Sequence, residues 1–272
     1  MATYNHSYVF QFEQQVNGSF YEDYMKRHWA DSFIYSTVYV VVVFCGKKWM
    51  ENRPRYDLRP YLATWSSILG IFSIFGAIRT VPELISSVRD HGMEYSLCVP
   101  SHLQGVTGFW CFLFALSKVC ELGDTAFIIL RKQQLIFLHW YHHFTVLLYV
   151  WYMYTLAAGF GRWFSGMNYA VHAIMYSYYA LRAMKFRIPR FISMMITTLQ
   201  LSQMLVGFAI TCLAYELSLR GKQCSKSNGA ITYGMIMYAS YFVLFARVFY
   251  TNYLAEKPRM SYVDTLDPKK RN

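Results

Sequence analysis

The chain has 272 residues, of which 55% are hydrophobic and only 15% charged, yet its formal net charge is +11. Soluble globular chains carry about 25% charged residues, and disorder needs low hydrophobicity. The balance excludes a disordered chain and argues against a soluble nucleic-acid binder, whose basic residues would decorate an otherwise polar surface. What remains is a polytopic membrane protein with its charges in loops and at a few interior sites.

A helix that crosses the hydrocarbon core needs about 20 largely apolar residues. Residues 1–31 precede the first such run. They carry Glu13, Glu22, Asp23 and Asp31 where a cleavable leader would have a basic end. They are expected to form a tail outside the bilayer, followed by an uncleaved anchor. Seven apolar stretches follow at residues 33–46, 61–78, 109–130, 135–157, 163–184, 191–215 and 231–254. Membrane β-strands would alternate over segments of about ten residues, and these runs are longer and continuously apolar. The expected class is therefore all-α. It is one polytopic membrane domain over residues 1–272, with seven transmembrane helices in a core at 32–254 and a second tail at 255–272.

Seven crossings put the termini on opposite sides. Segments 47–60, 131–134 and 185–190 with Arg182, together with the C-terminal tail, hold 16 of the 26 Lys and Arg residues. The N-terminal tail and segments 79–108, 158–162 and 216–230 hold eight, and Lys118 and Arg247 lie inside the runs. A basic excess marks the cytosolic side, so the N-terminus is expected in a lumen and the C-terminus in the cytosol. Asn5-His6-Ser7 and Asn17-Gly18-Ser19 are glycosylation acceptor patterns on the lumenal side. Lys269 and Lys270, fourth and third from the end, have the form of a dilysine retrieval signal, so the expected location is the endoplasmic reticulum membrane. Cys98 and Cys224 are the cysteines that fall in lumenal loops, where the medium is oxidising, and they are expected to pair. Cys45, Cys111, Cys120 and Cys212 read as small packing residues.

Ionisable residues inside a span are costly and usually face a cavity or a partner. The third run carries Lys118, Glu121, Asp124 and Thr125. At about 100° per residue, Lys118, Glu121 and Thr125 share one face with Asp124 beside it. Alone, this stripe reads equally well as self-neutralising packing. The fourth run places His139, His142 and His143 on one face, which points to a reactive or metal-binding site. The fifth carries Asn168, His172, Tyr176 and Tyr179, balanced between packing and function. The sixth carries Thr197, Gln200 and Gln203, which alone would be interhelical hydrogen bonding. Four polar stripes converge most simply on one enclosed chamber rich in acid–base and nucleophilic groups.

Three chemistries compete for that chamber. A membrane di-iron oxygenase or desaturase uses several histidine boxes. This chain has one box plus His172, with His6, His28, His91 and His102 in lumenal segments. Zinc needs fewer ligands, but no cysteine pattern supports it, and no metal is expected. A seven-helix transporter or receptor matches the count and orientation, yet needs no cluster of histidines beside a buried Lys–Glu–Asp stripe. Acyl chemistry on a lipid fits best. Apolar helices would hold the chain, and a histidine serves as nucleophile or base. Arg131, Lys132, Lys185, Arg187 and Arg190 could receive the phosphates of a carrier such as coenzyme A, although the cytosolic basic bias alone explains most of them.

At these stripes the sequence resembles the very-long-chain fatty acid elongases, the membrane 3-ketoacyl-CoA synthases. Lys118-Val-Cys-Glu121-Leu-Gly-Asp124-Thr125 matches the family's KxxExxDT pattern, and His139-Trp140-Tyr141-His142-His143 its HxxHH box. His172-Ala-Ile-Met175-Tyr176-Ser-Tyr178-Tyr179 matches HxxMYxYY, and Thr197-Thr-Leu-Gln200-Leu-Ser-Gln203 matches TxxQxxQ. The resemblance covers nearly the whole chain. Trp140-Tyr141 in the box, followed by Asn168-Tyr169, resembles the subgroup acting on saturated and monounsaturated chains of about sixteen carbons.

The resemblance implies condensation of a long-chain acyl-CoA with malonyl-CoA, giving a 3-ketoacyl-CoA, carbon dioxide and free coenzyme A, the first step of the microsomal elongation cycle. It implies six helices around a long tunnel, open to the cytosol and closed near the lumen, with the first helix outside. The substrates are the two thioesters, with no further cofactor. The partners are the bilayer, other enzymes of the cycle and a second copy of the chain, and not nucleic acid. In this reading His142 attacks the acyl thioester, and His139 and His143 position or deprotonate it. His172 and Asn168 stabilise the enolate oxygen. Lys118, Glu121, Asp124, Thr125, Tyr176, Tyr179, Gln200 and Gln203 form the supporting polar network, and Arg131, Lys132, Lys185, Arg187 and Arg247 receive the carrier. Arg247 stands where relatives often carry His or Asn, and Arg162 where they carry a small residue.

Overall fold

The computed structural model describes residues 4–14, 18–224 and 227–255. Asn17, Lys269 and Lys270, and the tail beyond Ala255, lie outside the described residues. All regular structure among the described residues is helical. The elements are α1 (Gln11–Gln14), α2 (Gly18–His28), α3 (Asp31–Met50), α4 (Arg59–Cys98), a 3₁₀ turn (Ser101–Leu103), α5 (Gly105–Glu121), α6 (Asp124–Leu130), α7 (Phe137–Thr155), α8 (Gly161–Ala183), α9 (Arg190–Leu219), α10 (Asn228–Phe249) and a closing π-turn (Tyr250–Leu254).

Each of the seven apolar runs is helical. Among the described residues, four stretches are long and apolar enough to cross a membrane: Asp31–Met50, Arg59–Cys98, Arg190–Leu219 and Asn228–Leu254. The helices with the densest polar stripes, α5, α7 and α8, fall outside that set. α5 is a residue short of a full crossing, because it stops at Glu121, and the polar groups of α7 and α8 lower their mean hydropathy. Large apolar side chains face outward on several helices, among them Ile68, Ile71 and Ile78 of α4, Leu205 of α9 and Ile236 and Val243 of α10. Soluble monomers rarely expose such continuous apolar surface, and lipid is the medium that covers it.

Six helices pack in a closed sequence of neighbours: α4 on α5, α5 on α7, α7 on α10, α10 on α9, α9 on α8, and α8 back on α4. α3 lies against α6 and α7 on the outside of that ring. The α4–α8 seam is close because small residues line it. Gly70 faces the Ser177 backbone, Gly76 lies under the Tyr169 ring, and Gly166 touches Leu84. Small residues let helix backbones approach where no hydrophobic gain over lipid drives association.

Two runs differ from their sequence reading. The second does not end at residue 78, because α4 continues to Cys98 with one break at Gly92, where φ is +87°. Arg79 and Glu83 look like loop charges, yet both are buried and paired. Arg79 Nε and Nη2 lie 2.9 and 3.0 Å from the two carboxylate oxygens of Glu13. Glu83 accepts from Arg162 at 2.6 Å. The N-terminal segment is therefore docked on the bundle. Trp110 Nε1 also donates to Glu13 at 2.7 Å, and Arg79 donates to Tyr8 O at 3.0 Å. The third run is two helices, since α5 stops at Glu121 and α6 starts at Asp124. Gly123 sits between them against the Trp65 ring. Farther along, Cys98 at the end of α4 is disulfide-bonded to Cys224 after α9.

Candidate active site

The break at Gly123 splits the polar stripe of the third run among three partners. Lys118 and Glu121, at the end of α5, turn to α8. Lys118 Nζ donates to Glu121 Oε1 at 2.7 Å and to Asn168 Oδ1 at 2.8 Å. Ser117 Oγ donates to the same Glu121 oxygen at 3.1 Å. Asp124 begins α6 and faces α4 and α8, accepting from Trp65 Nε1 and Tyr176 Oη at 2.6 Å each. Thr125, one residue later, faces α3 and α7, and its hydroxyl is 3.0 Å from His139 Nε2.

The Lys118 contact orients a histidine. An ammonium only donates, so the Asn168 oxygen must face Lys118. The Asn168 amide nitrogen then donates to His172 Nε2, 3.1 Å away. The His172 proton is thereby placed on Nδ1, which lies 3.8 Å from Glu121 Oε1. One chain of contacts, Lys118–Asn168–His172–Glu121, closes on itself inside the bundle.

The histidine box occupies the first two turns of α7. Ile136 is extended before it, with φ −80° and ψ 151°, so the helix starts abruptly at Phe137. The His139 and His143 rings are 4.5 Å apart, and those of His142 and His143 5.6 Å. Behind His142 stands Tyr241 of α10, with ring centroids 4.8 Å apart. Tyr241 shares a 2.5 Å hydrogen bond with Thr145, whose hydroxyl also donates to Tyr141 O.

All three box histidines line one cavity of about 820 Å³ with Asn168, His172, Tyr176, Tyr179, Asp124, Thr197, Gln200 and Gln203. Its inner wall reaches Met204, and its outer rim carries Arg59, Arg131, Arg182, Lys185 and Arg187. Two of the rim loops leave their helices in the same way. Lys132 and Lys185 take φ of +51° and +70°, and the next residues bond back, Gln133 N to Ile128 O and Phe186 N to Leu181 O. These are C-terminal turns in which glycine is usual, here filled by lysines beside the rim. A smaller cavity of about 50 Å³ lies past the box among His102, Cys111, Phe114, Tyr149, Met153 and Ser165. Tyr149 is about 10 Å beyond His142 along α7, at 1.5 Å per residue.

The structure thus brings together most residues singled out in the sequence. Lys118, Glu121 and Thr125 stand one layer behind the wall. Gln200 points its amide at Met175 Sδ, 3.1 Å away. Lys132 donates to Glu51 O at 2.9 Å and lies off the rim, and Arg247 does not line the cavity. Arg59 and Arg182 were missed because one opens a helix and the other closes one, where a cation reads as a cap or as the cytosolic bias. Neither Cys111 nor Cys120 lines the large cavity: Cys120 is exposed, and Cys111 is buried against Ser165. Among the described residues, no group of three or more His, Cys, Asp or Glu is arranged to hold a metal ion.

Residues 24–261 match the family model described as ELO: GNS1/SUR4 family. The chain belongs to the ELO family. It is 52% identical over 258 residues to very long chain fatty acid elongase 6 of Drosophila melanogaster, covering 93% of this chain and 82% of that one. It is 46% identical to very long chain fatty acid elongase 6 of Gallus gallus, covering 94% and 96%. It is 40% identical to very long chain fatty acid elongase 3 of Homo sapiens, covering 86% and 87%. The matched region of this ELO chain includes the whole six-helix ring, the histidine box and the cavity rim.

Proposed function

We propose that the chain is a membrane acyltransferase that condenses a long-chain acyl-CoA with malonyl-CoA, using no other cofactor. The observation that carries this reading is the large cavity in an ELO-family chain, with three histidines on its inner wall and five cations at its rim. The relatives named very long chain fatty acid elongase 6 support fatty acid elongation, and the Trp140-Tyr141 and Asn168-Tyr169 pattern supports saturated and monounsaturated chains of about sixteen carbons.

The reaction proceeds in two halves. An imidazole nitrogen of His142 adds to the acyl thioester carbonyl, and coenzyme A leaves with the proton from the imidazole. The acyl group is then held as an acyl-imidazole. Malonyl-CoA next loses carbon dioxide to give an enolate, whose oxygen is stabilised by the second amide N–H of Asn168, with His172 holding that amide in place. The enolate carbon attacks the held acyl carbonyl, a carbon–carbon bond forms as the carbon–nitrogen bond to His142 breaks, and the imidazole takes a proton from water to replace the one that left with coenzyme A. His139 and His143 set the position of His142. Lys118, Glu121 and Asp124 orient the groups behind the wall. Arg59, Arg131, Arg182, Lys185 and Arg187 hold carrier phosphates at the rim.

The same reading makes all seven helical runs transmembrane, with the N-terminus in the lumen and the C-terminus in the cytosol. The rim then faces the cytosol, where acyl-CoA is supplied. The Cys98–Cys224 bond and Asn5 fall on the oxidising side, and so does Asn17. Lys269 and Lys270 retain the enzyme in the endoplasmic reticulum, where it meets the remaining enzymes of the cycle and a second copy of itself.

The test is to incubate the purified protein with palmitoyl-CoA and no malonyl-CoA, then map the adduct. An acyl group on His142, lost in His142→Ala, is the expected result. No adduct, or an adduct on Cys120 or Cys111, overturns the mechanism.

A further inference from the structure

Tyr39 belongs to none of the four motifs. It lies on α3, outside the ring, on a helix with many large side chains exposed, among them Phe33, Ile34, Val38, Val41 and Val42. Yet Tyr39 is only 6% exposed, on a buried stripe with Ser32, Ser36 and Val43. Its hydroxyl is 2.7 Å from Thr125 Oγ1, and the same Thr125 oxygen is 3.0 Å from His139 Nε2. A side chain on the outermost helix therefore reaches the histidine box through one threonine.

We infer that Tyr39 is a positioning residue for the condensation, acting through Thr125 on His139. This rests on the proposed role of the histidine box. A threonine hydroxyl has one proton to give. When the Tyr39 phenol donates to Thr125 Oγ1, the threonine proton is directed onto His139 Nε2. His139 is then held in the tautomer with its proton on Nδ1, and its ring is fixed against His143, 4.5 Å away. Without the phenol, the Thr125 hydroxyl is free to turn to the backbone carbonyl of Glu121 or Leu122, three or four residues back, as threonines in helical turns do. His139 then loses its donor, and both its tautomer and its ring angle relax. Partners that set a histidine tautomer from behind act in this way at metal sites, where removing one costs about 10–100-fold. The anchor helix thereby contributes to the chemistry although it lines no part of the cavity.

The test is a set of steady-state condensation assays on purified variants, with thermal unfolding measured in parallel. Tyr39→Phe removes one oxygen and keeps the ring, so helix docking persists. It is expected to lower kcat about tenfold with KM for acyl-CoA unchanged. Thr125→Val is expected to lose at least as much, and Thr125→Ser to recover most of that loss. The double variant Tyr39→Phe/Thr125→Val is expected to match Thr125→Val alone, because both act along one path. Ser36→Ala, on the same face of α3 with its hydroxyl 3.5 Å from Phe144 O, is the docking control and is expected to keep kcat. Wild-type kcat in Tyr39→Phe overturns the inference, as does equal loss in Ser36→Ala or an additive double variant. The Thr125 pair tests the same relay from its other end should Tyr39→Phe fold poorly. His142→Ala is assayed alongside. If it is inactive while Tyr39→Phe is unimpaired, the relay alone falls; if it is fully active, the histidine mechanism falls and takes the relay with it.

Discussion

Lys118→Met is the most demanding perturbation of the proposed site. The side chains of Lys118 and Glu121 are 2% and 4% exposed, with Nζ and Oε1 2.7 Å apart. Removing the cation leaves the Glu121 carboxylate with Ser117 as its remaining close donor, and leaves Asn168 Oδ1 without its lysine. Breaking a buried ion pair from one side costs about 3–5 kcal/mol, and an orphaned amide oxygen adds about 1–3 kcal/mol. Against a total stability of about 5–15 kcal/mol, the single variant should be close to unfolding. Lys118→Met/Glu121→Gln removes both charges, so it should recover at least half of the lost stability. The measurement is the unfolding midpoint of each protein in one detergent, followed by tryptophan fluorescence. The recovered double variant should still fail to condense, because nothing then fixes which end of the Asn168 amide faces His172. A double variant less stable than the single one refutes the pairing argument. A stable and fully active double variant refutes the orientation argument.

Three other outcomes follow from different parts of the fold. Arg162 is 1% exposed and donates to Glu83, Ser87, Val99 O and Ser101. Arg162→Ala should destabilise by about 3–5 kcal/mol, with part of the loss returned by adding Glu83→Gln, both read as unfolding midpoints. Arg187 and Arg131 stand at the cavity rim. Exposed charges contribute up to about 1 kcal/mol each, so either Gln variant should raise KM for acyl-CoA by up to about fivefold, less in high salt, with kcat unchanged. His6 bonds Thr107 at 3.2 Å, and its pKa is lowered, chiefly by burial and then by the Arg79 guanidinium, with Glu13 opposing. An undocked His6 takes a proton first as pH falls below about 6.5. The undocked state then holds more protons, so docking of the N-terminal segment should weaken from there until the docked imidazole also protonates. Protease cleavage within residues 4–14 should rise over that window, and a pH-independent rate would refute the reasoning.

The candidate site was legible because ionisable groups stand out in an apolar chain. His139, His142, His143 and His172 need no structure to be noticed among residues that are 55% hydrophobic, since each is costly there without a purpose. Periodicity also placed the seven helical runs. It failed where charge is cancelled from a distance. In the sequence the second apolar run stops at residue 78, just before Arg79 and Glu83. In the fold Arg79 meets Glu13, 66 residues away, and Glu83 meets Arg162, 79 residues away. No local window contains both members of either pair. The break at Gly123 was hidden for a related reason. Apolar residues resume at 126–130, so the run shows no loop, and the Trp65 ring that closes on Gly123 is brought by another helix. Yet that break lets Lys118, Asp124 and Thr125 address three different walls, which a continuous helix carrying them on one face would not do. Glu13 and the segment around it also precede the family-matched region at 24–261. The histidine-lined wall is therefore the part of this molecule that family pattern and polarity both reveal, while the contacts that hold its helices in place are long-range and appear only in three dimensions.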